Sequence, residues 1–194
     1  MSESNAPVPD LQNEPDLSGR SLGGYQILRR LGRGGMADVY LAEQKSLHRQ
    51  VALKVLKGSL AQDQAYVRRF HHEAQAAASL EHANIVQIHE VGCIDGVHFI
   101  AQEYVAGLNL KQWLARHGPA DAGTAVHIMR QVVAALHRAS QQGIIHHDIK
   151  PENIMLSKTG EVKVADFGLA RVADEGQAVN LTQVGVTMGT PLYM

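Results

Sequence analysis

His146-His147-Asp148-Ile149-Lys150-Pro151-Glu152-Asn153, then Ile154-Met155-Leu156, a turn at Thr159-Gly160, Val162-Lys163-Val164 and Asp166-Phe167-Gly168 form the stretch that decides how this chain is read. Two short apolar runs separated by a Thr-Gly turn predict a small hairpin. Loops at its two ends then hold Asp148 and Asn153 on one side and Asp166 on the other. An Asp on such a loop can receive a hydroxyl proton, and an Asp with an Asn can hold Mg²⁺ on a triphosphate. The stretch therefore reads as apparatus for phosphoryl transfer.

Working outward, Gly32-Arg33-Gly34-Gly35-Met36-Ala37-Asp38-Val39 is a glycine-rich turn between two strand-like runs. Glycines allow backbone to approach phosphates closely and to take positive φ. Such a match alone is more often a plain β-turn. The next strand-like run raises its weight, because Val51-Ala52-Leu53-Lys54 alternates and sets Ala52 and Lys54 on one face. A helix-forming stretch from Asp63 to Leu80 carries Glu73 near its middle, where it can pair with Lys54. Taken singly, each of these charges would be an ordinary solvated side chain.

In order and spacing these motifs, ending at Gly189-Thr190-Pro191-Leu192-Tyr193, resemble the eukaryotic-like protein kinases, in phrasing the bacterial serine/threonine members. The resemblance runs from about residue 22 to 194. It implies an α+β, two-lobed protein-kinase-like fold, with a small antiparallel sheet lobe bearing one main helix and a mainly helical large lobe that is incomplete here. It implies ATP and Mg²⁺ as cofactors and Ser/Thr-bearing proteins as substrates, with a second kinase copy as a possible partner.

Residue by residue, the resemblance makes Asp148 the catalytic base and sets Lys150 beside the γ phosphate. Asn153 and Asp166 become the Mg²⁺ ligands. The nucleotide set comprises Leu31, Gly32, Arg33, Gly34, Gly35, Met36, Ala37, Val39, Ala52, Lys54, Glu73, Glu103, Val105, Asn109 and Met155. Within it, the Glu103 carbonyl and the Val105 amide pair with adenine beside a polar gatekeeper, Gln102. Val39 and Ala52 cover the base and Met155 floors it, although all three would be apolar as plain core. Thr190 bonds Asp148 and Lys150, which favours Ser/Thr specificity, and Thr182 and Thr187 lie in an activation loop.

Two departures from the family pattern stand out. Ala37 occupies the place of the third glycine, and His147 the place where many members have Arg. An imidazole, mostly neutral near pH 7, cannot supply Arg's permanent bidentate charge to a phosphorylated loop, so activation by phosphate is put in doubt. His146 matches the usual His, expected to pack beneath Phe167. The remaining histidines, including His71-His72, lack zinc-site spacing.

Composition bounds the rest. The chain has 194 residues, 45% hydrophobic, with 18 basic against 19 acidic residues and a formal charge of −1. No bulk field draws it to nucleic acid or anionic membranes. One cysteine excludes an internal disulfide framework and suits a cytoplasmic setting. No apolar run reaches the ~20 residues of a membrane span, although a tether further along a longer product would be compatible. Residues 1–21, with Pro7, Pro9 and Pro15, read as a disordered leader, 22–105 as the small lobe and hinge, and 106–194 as the start of the large lobe through the activation loop.

Runs at Tyr25–Leu31, Val39–Ala42 and Val51–Leu56 predict an antiparallel meander. Ile85–Val91 and Val97–Val105, joined at Asp95-Gly96, predict a hairpin, and Leu110–His117 and Thr124–Gln142 predict helices. The sequence stops at Met194, just before the Ala/Ser-Pro-Glu that the family carries next. The long helix is therefore expected to expose Val126, Met129, Val133 and Leu136. A truncated nucleotide-binding module without catalysis stands as the alternative function. A small-molecule kinase of the aminoglycoside type is disfavoured by the Lys150-Pro151 step, Asp-Phe-Gly and Gly-Thr-Pro-x-Tyr.

Overall fold

The structure is a computed structural model that describes residues 15–167 and the backbone of 171–172. Gly168, Thr182, Thr187 and Thr190 lie outside the described residues. In chain order the elements are β1 (Ser21–Leu22), β2 (Tyr25–Arg33), β3 (Ala37–Gln44), β4 (Arg49–Leu56), α1 (Gly58–Ala61), α2 (Gln64–Ala78), β5 (Ile88–Ile94), β6 (Val97–Glu103) and β7 (Gly107–Asn109). After these come α3 (Leu110–His117), α4 (Ala122–Ser140), β8 (Ile144–Ile145), β9 (Ile154–Ser157), β10 (Val162–Val164) and β11 (Arg171–Val172). A 3-10 turn at Pro151–Asn153 precedes β9.

The chain divides into two compact units, residues up to 70 with 90–102 and residues 71–89 with 103 onward. This differs from the expected parting at 105/106. Ala77, Leu80 and Ile85 are buried in the core of the second unit, which is why the segment after 70 groups with it.

In the first unit, strands run in the order β1-β2-β3-β4-β6-β5. The meander follows from alternation. Tyr40 opposes Leu53 and Ala42 opposes Val51, and these four pack with Tyr25, Ile27, Phe99 and Ala101 into one core. The intervening pairs, Val39 with Lys54 and Leu41 with Ala52, therefore share the opposite face of the sheet. The leader ends earlier than residue 21. The Asp16 carboxylate lies 3.0 Å from Arg30, Leu17 packs on the sheet core, and the Gly19 amide donates to the Ile27 carbonyl at 2.9 Å. An ion pair and an apolar anchor thus order a stretch whose composition alone reads as coil.

In the second unit, β10-β9-β7 form a small antiparallel sheet and β11 pairs with β8. Its core takes Ile128, Val132, Ala135 and Ala139 from α4, spaced three and four apart on one stripe. Val126, Met129 and Val133 are more than half exposed, as the sequence predicts for that face. Leu136 is not, because it packs against the core. The helix starts two residues earlier than expected, where Asp121 caps it by accepting the Thr124 amide at 3.0 Å.

Gly107 is required by backbone crowding, since a Cβ there would sit 1.8 Å from the Leu156 carbonyl oxygen across the β7–β9 ladder.

Candidate active site

The glycine turn joins β2 to β3. The Gly34 amide donates to the Ala37 carbonyl at 3.0 Å, and a Cβ on Gly34 would meet that same oxygen at 2.7 Å. Gly34 is therefore needed by the turn itself. Ala37, in the third-glycine place, sits in strand β3 opposite Leu56 with its methyl buried and without positive φ, so the backbone there accommodates a side chain. Ala52 is buried and Val39 and Lys54 half-buried on the face opposite the core. Leu31 and Met36 are half-buried, and Gly32, Arg33 and Gly35 are exposed.

The second unit carries the acids. Lys150 Nζ lies 2.6 Å from Asp148 Oδ2, with only 22% and 16% of the two side chains exposed. Asn153 is buried, and its Nδ2 donates to the Asp148 carbonyl at 2.9 Å and faces Asp148 Oδ2 at 3.4 Å. Its amide nitrogen is thereby engaged by Asp148, which turns the carboxamide oxygen, a hard donor suited to Mg²⁺, away from that residue. The Ala165 amide donates to the Asn153 carbonyl at 2.8 Å, tying the segment before Asp166 to the loop that carries Asp148 and Asn153.

Two non-glycine residues here have positive φ, His147 at 60° and Asp166 at 67°. Such backbone costs free energy and persists only where surrounding contacts hold it. His146 supplies one of those contacts. Its ring stands 4.5 Å from the Phe167 ring, as expected of it. Nδ1 accepts the Asp148 amide at 3.2 Å, which leaves Nε2–H to donate to the Ala165 carbonyl at 3.1 Å. The neutral Nε2–H tautomer satisfies both bonds.

Burial pushes the His146 imidazole below the usual histidine range, against the opposing pull of the Ala165 carbonyl and of the Asp166 and Asp148 charges. Between the folded and ordinary values the unfolded chain binds the extra proton, so stability rises with pH there. The contribution of neutral His146 is fully present above about pH 6.5 and is lost as pH falls below it. Urea unfolding of the intact protein at pH 7.5 and 5.5 should show a steeper loss of stability than in His146→Gln, the difference being at most about 1.4 kcal/mol per pH unit. Equal slopes would exclude a buried neutral imidazole.

Glu103 ends β6. Its amide donates to the Gln87 carbonyl at 2.8 Å, its carboxylate accepts the Gln87 amide at 3.3 Å, and Lys163 Nζ lies 2.9 Å from Oε1. Val105 is buried, and Met155 is half-buried opposite Lys163 in the β9–β10 ladder. Sequence reasoning gave Lys163 no role. The available signal was a lysine between two valines, Val162 and Val164, that are both in the core.

Asn109 is found at the N-cap of α3, where its side chain accepts the Gln112 amide at 2.8 Å while Gln112 Oε1 accepts the Asn109 amide at 3.1 Å. This reciprocal box explains the residue without a nucleotide. Asn109→Ala should lower stability by about 1 kcal/mol in denaturant titration, with Asn109→Asp near neutral. Glu73 falls on α2, and its side chain lies outside the described residues.

A sheet with a glycine turn and a lysine strand, followed by an acid loop and a hairpin leading into Asp-Phe-Gly, defines the class of protein kinases. The family model described as protein kinase domain matches residues 25–194, and the chain belongs to that family. Among curated proteins it is 43% identical over 179 residues to the serine/threonine-protein kinase PrkC of Bacillus subtilis, covering 92% of this chain and 27% of that protein. It is 44% identical over 178 residues to the serine/threonine-protein kinase pkn3 of Myxococcus xanthus, covering 88% of this chain and 32% of that one. The PknI kinase domain of Mycobacterium tuberculosis superposes with a TM-score of 0.67 at 37% identity, over 78% of this chain and 61% of that structure. The chain thus spans about a third or less of these curated relatives. Among the described residues, no helix is long and apolar enough to cross a membrane.

Proposed function

We propose that the chain is the catalytic part of an ATP- and Mg²⁺-dependent kinase that phosphorylates serine or threonine in proteins. The observation that carries this reading is the Asp148–Lys150–Asn153 cluster, in which one carboxylate is held by both a cation and a carboxamide. Asp148 orients the acceptor hydroxyl and takes its proton late in the transfer. Lys150, held beside that carboxylate, supplies positive charge where negative charge grows. Lys54, oriented by Glu73, acts on the α and β phosphates. The Glu103 carbonyl and Val105 amide take the adenine, with Val39, Ala52 and Met155 as its apolar walls.

Asn153 and Asp166 offer two oxygen donors of the kind Mg²⁺ prefers, and the fixed orientation of the Asn153 amide suits that role. When bound, the metal neutralises phosphate charge. The chemistry of these groups favours transfer over mere nucleotide binding, since a binding module has no need of an acid and a cation at 2.6 Å on the acceptor side.

The test is incubation of the intact protein with ATP, Mg²⁺ and a generic basic protein, followed by mapping of phosphate. Phosphoserine or phosphothreonine on the acceptor supports the reading. Nucleotide binding with no transfer would replace it with the binding module. A cytoplasmic location of the catalytic part belongs to the same proposal, and a tether elsewhere in a longer product is compatible with it.

A further inference from the structure

Lys163 lies on the middle residue of β10, and its neighbours Val162 and Val164 are 1% and 0% exposed. Alternation along the strand directs those two into the core and Lys163 to the other face, which it shares with Met155. Only 14% of the Lys163 side chain is exposed. A cation so placed needs a partner, and it has the Glu103 carboxylate at 2.9 and 3.1 Å.

Both sides of this contact are anchored. β10 is stitched to the segment before β5, where the Val86 amide donates to the Val164 carbonyl at 2.9 Å, the Val164 amide to the Asn84 carbonyl at 2.8 Å, and Asn84 Nδ2 to the Val162 carbonyl at 2.8 Å. Gln131 on α4 adds an acceptor shared by Asn84 Nδ2 and the Val162 amide. Glu103 joins the same segment through its amide and its carboxylate at Gln87. The residue at which the chain leaves β6 for the rest of the second unit is thus fixed by three contacts, and Lys163 provides the one ion pair among them.

We propose that Lys163 is a positioning residue for adenine recognition. Through Glu103 it holds the 103–105 backbone whose carbonyl and amide take the base, and so removes part of the ordering cost of nucleotide binding. This inference rests on the adenine contacts proposed above. Lys163 touches neither phosphate nor acceptor in this scheme, so its loss weakens binding of the base and spares the transfer step.

The experiment compares intact wild type with Lys163→Met and Lys163→Arg. The measurements are KM for ATP and kcat with a basic acceptor protein, and calorimetric affinities for adenosine and for inorganic tripolyphosphate. A pair this far out of solvent lies between exposed and fully buried ion pairs in strength, so Lys163→Met should raise both the KM for ATP and the adenosine Kd about tenfold. Its kcat should stay within about twofold and its tripolyphosphate affinity should not change, while Arg should restore most of the loss. Lys163→Gln, which keeps a donor without the charge, carries the same comparison if the Met variant does not fold.

Equal adenosine affinity in wild type and Lys163→Met overturns the proposal. So does parallel weakening of adenosine and tripolyphosphate, which would mean a general loss of structure. A wild type that neither binds ATP nor transfers phosphate would instead refute the kinase reading, and the inference would fall with it.

Discussion

Asp148→Asn in the intact protein is expected to lower phosphate transfer by about 10²–10⁴-fold, the usual range for loss of a general base. ATP affinity should hold, since the proposed nucleotide contacts come from other residues. The variant keeps the shape of the side chain and the Asp148 carbonyl that Asn153 binds, but it removes the charge facing Lys150 at 2.6 Å. A modest secondary effect on Lys150 therefore accompanies the loss of the base. Turnover measured at saturating ATP, beside an independent ATP binding isotherm, separates the two. Unchanged turnover would remove Asp148 from the base role, and lost binding would relocate it to the nucleotide.

The second large effect concerns Lys54 and Glu73. Lys54 shares its sheet face with Val39 and Ala52 and not with the core residues Tyr40 and Leu53. Its position is thus set by the ladder, and the resemblance supplies Glu73 as its partner. Lys54→Met should cost on the order of 10²–10³-fold in turnover, the scale for removing one preorganised charge-stabilising group. Glu73→Gln should cost a similar amount, and the double variant little more than either single one. Residues that act as a unit are non-additive in this way, and a double-mutant cycle on turnover measures it. Additive losses would show that the two side chains act separately.

Elements with strong periodicity were legible from the sequence. The meander, α3 and α4 follow from their apolar runs, because a face buried over several turns or pleats leaves its mark in the chain, the hairpin from its Asp95-Gly96 turn, and α2 from a stretch of helix formers without Gly or Pro. Among elements of two to four residues, β9 and β10 were legible through the Thr159-Gly160 turn between them, and the others were not. β1, β7, β8 and β11 are defined by hydrogen bonds to their partner strands and α1 by a single local turn, and no window that short has a period.

At the site, the residues clustered in one stretch were legible, since Asp148, Lys150 and Asn153 lie within six positions of one another and meet in the fold. The Glu103–Lys163 pair spans 60 positions and carries no motif, so only the folded chain reveals it. Asn109 is legible in a second way. A residue assigned to the nucleotide by family position proves to be engaged by its own helix, in a box that the spacing Asn109-x-x-Gln112 already spells.

The clasp of Asp16 and Leu17 on the first sheet changes where the domain should be cut. A border drawn from composition would start an expression clone at residue 22 and discard both. Arg30, whose side chain is 13% exposed and which also sits 5.5 Å over the Tyr40 ring, would then face Asp38 at 3.6 Å as its remaining carboxylate neighbour among the described residues. The apolar seat of Leu17 would open to water at the same time. Comparisons between versions of this chain that differ only in their first residues are thus comparisons between sheets with and without their clasp.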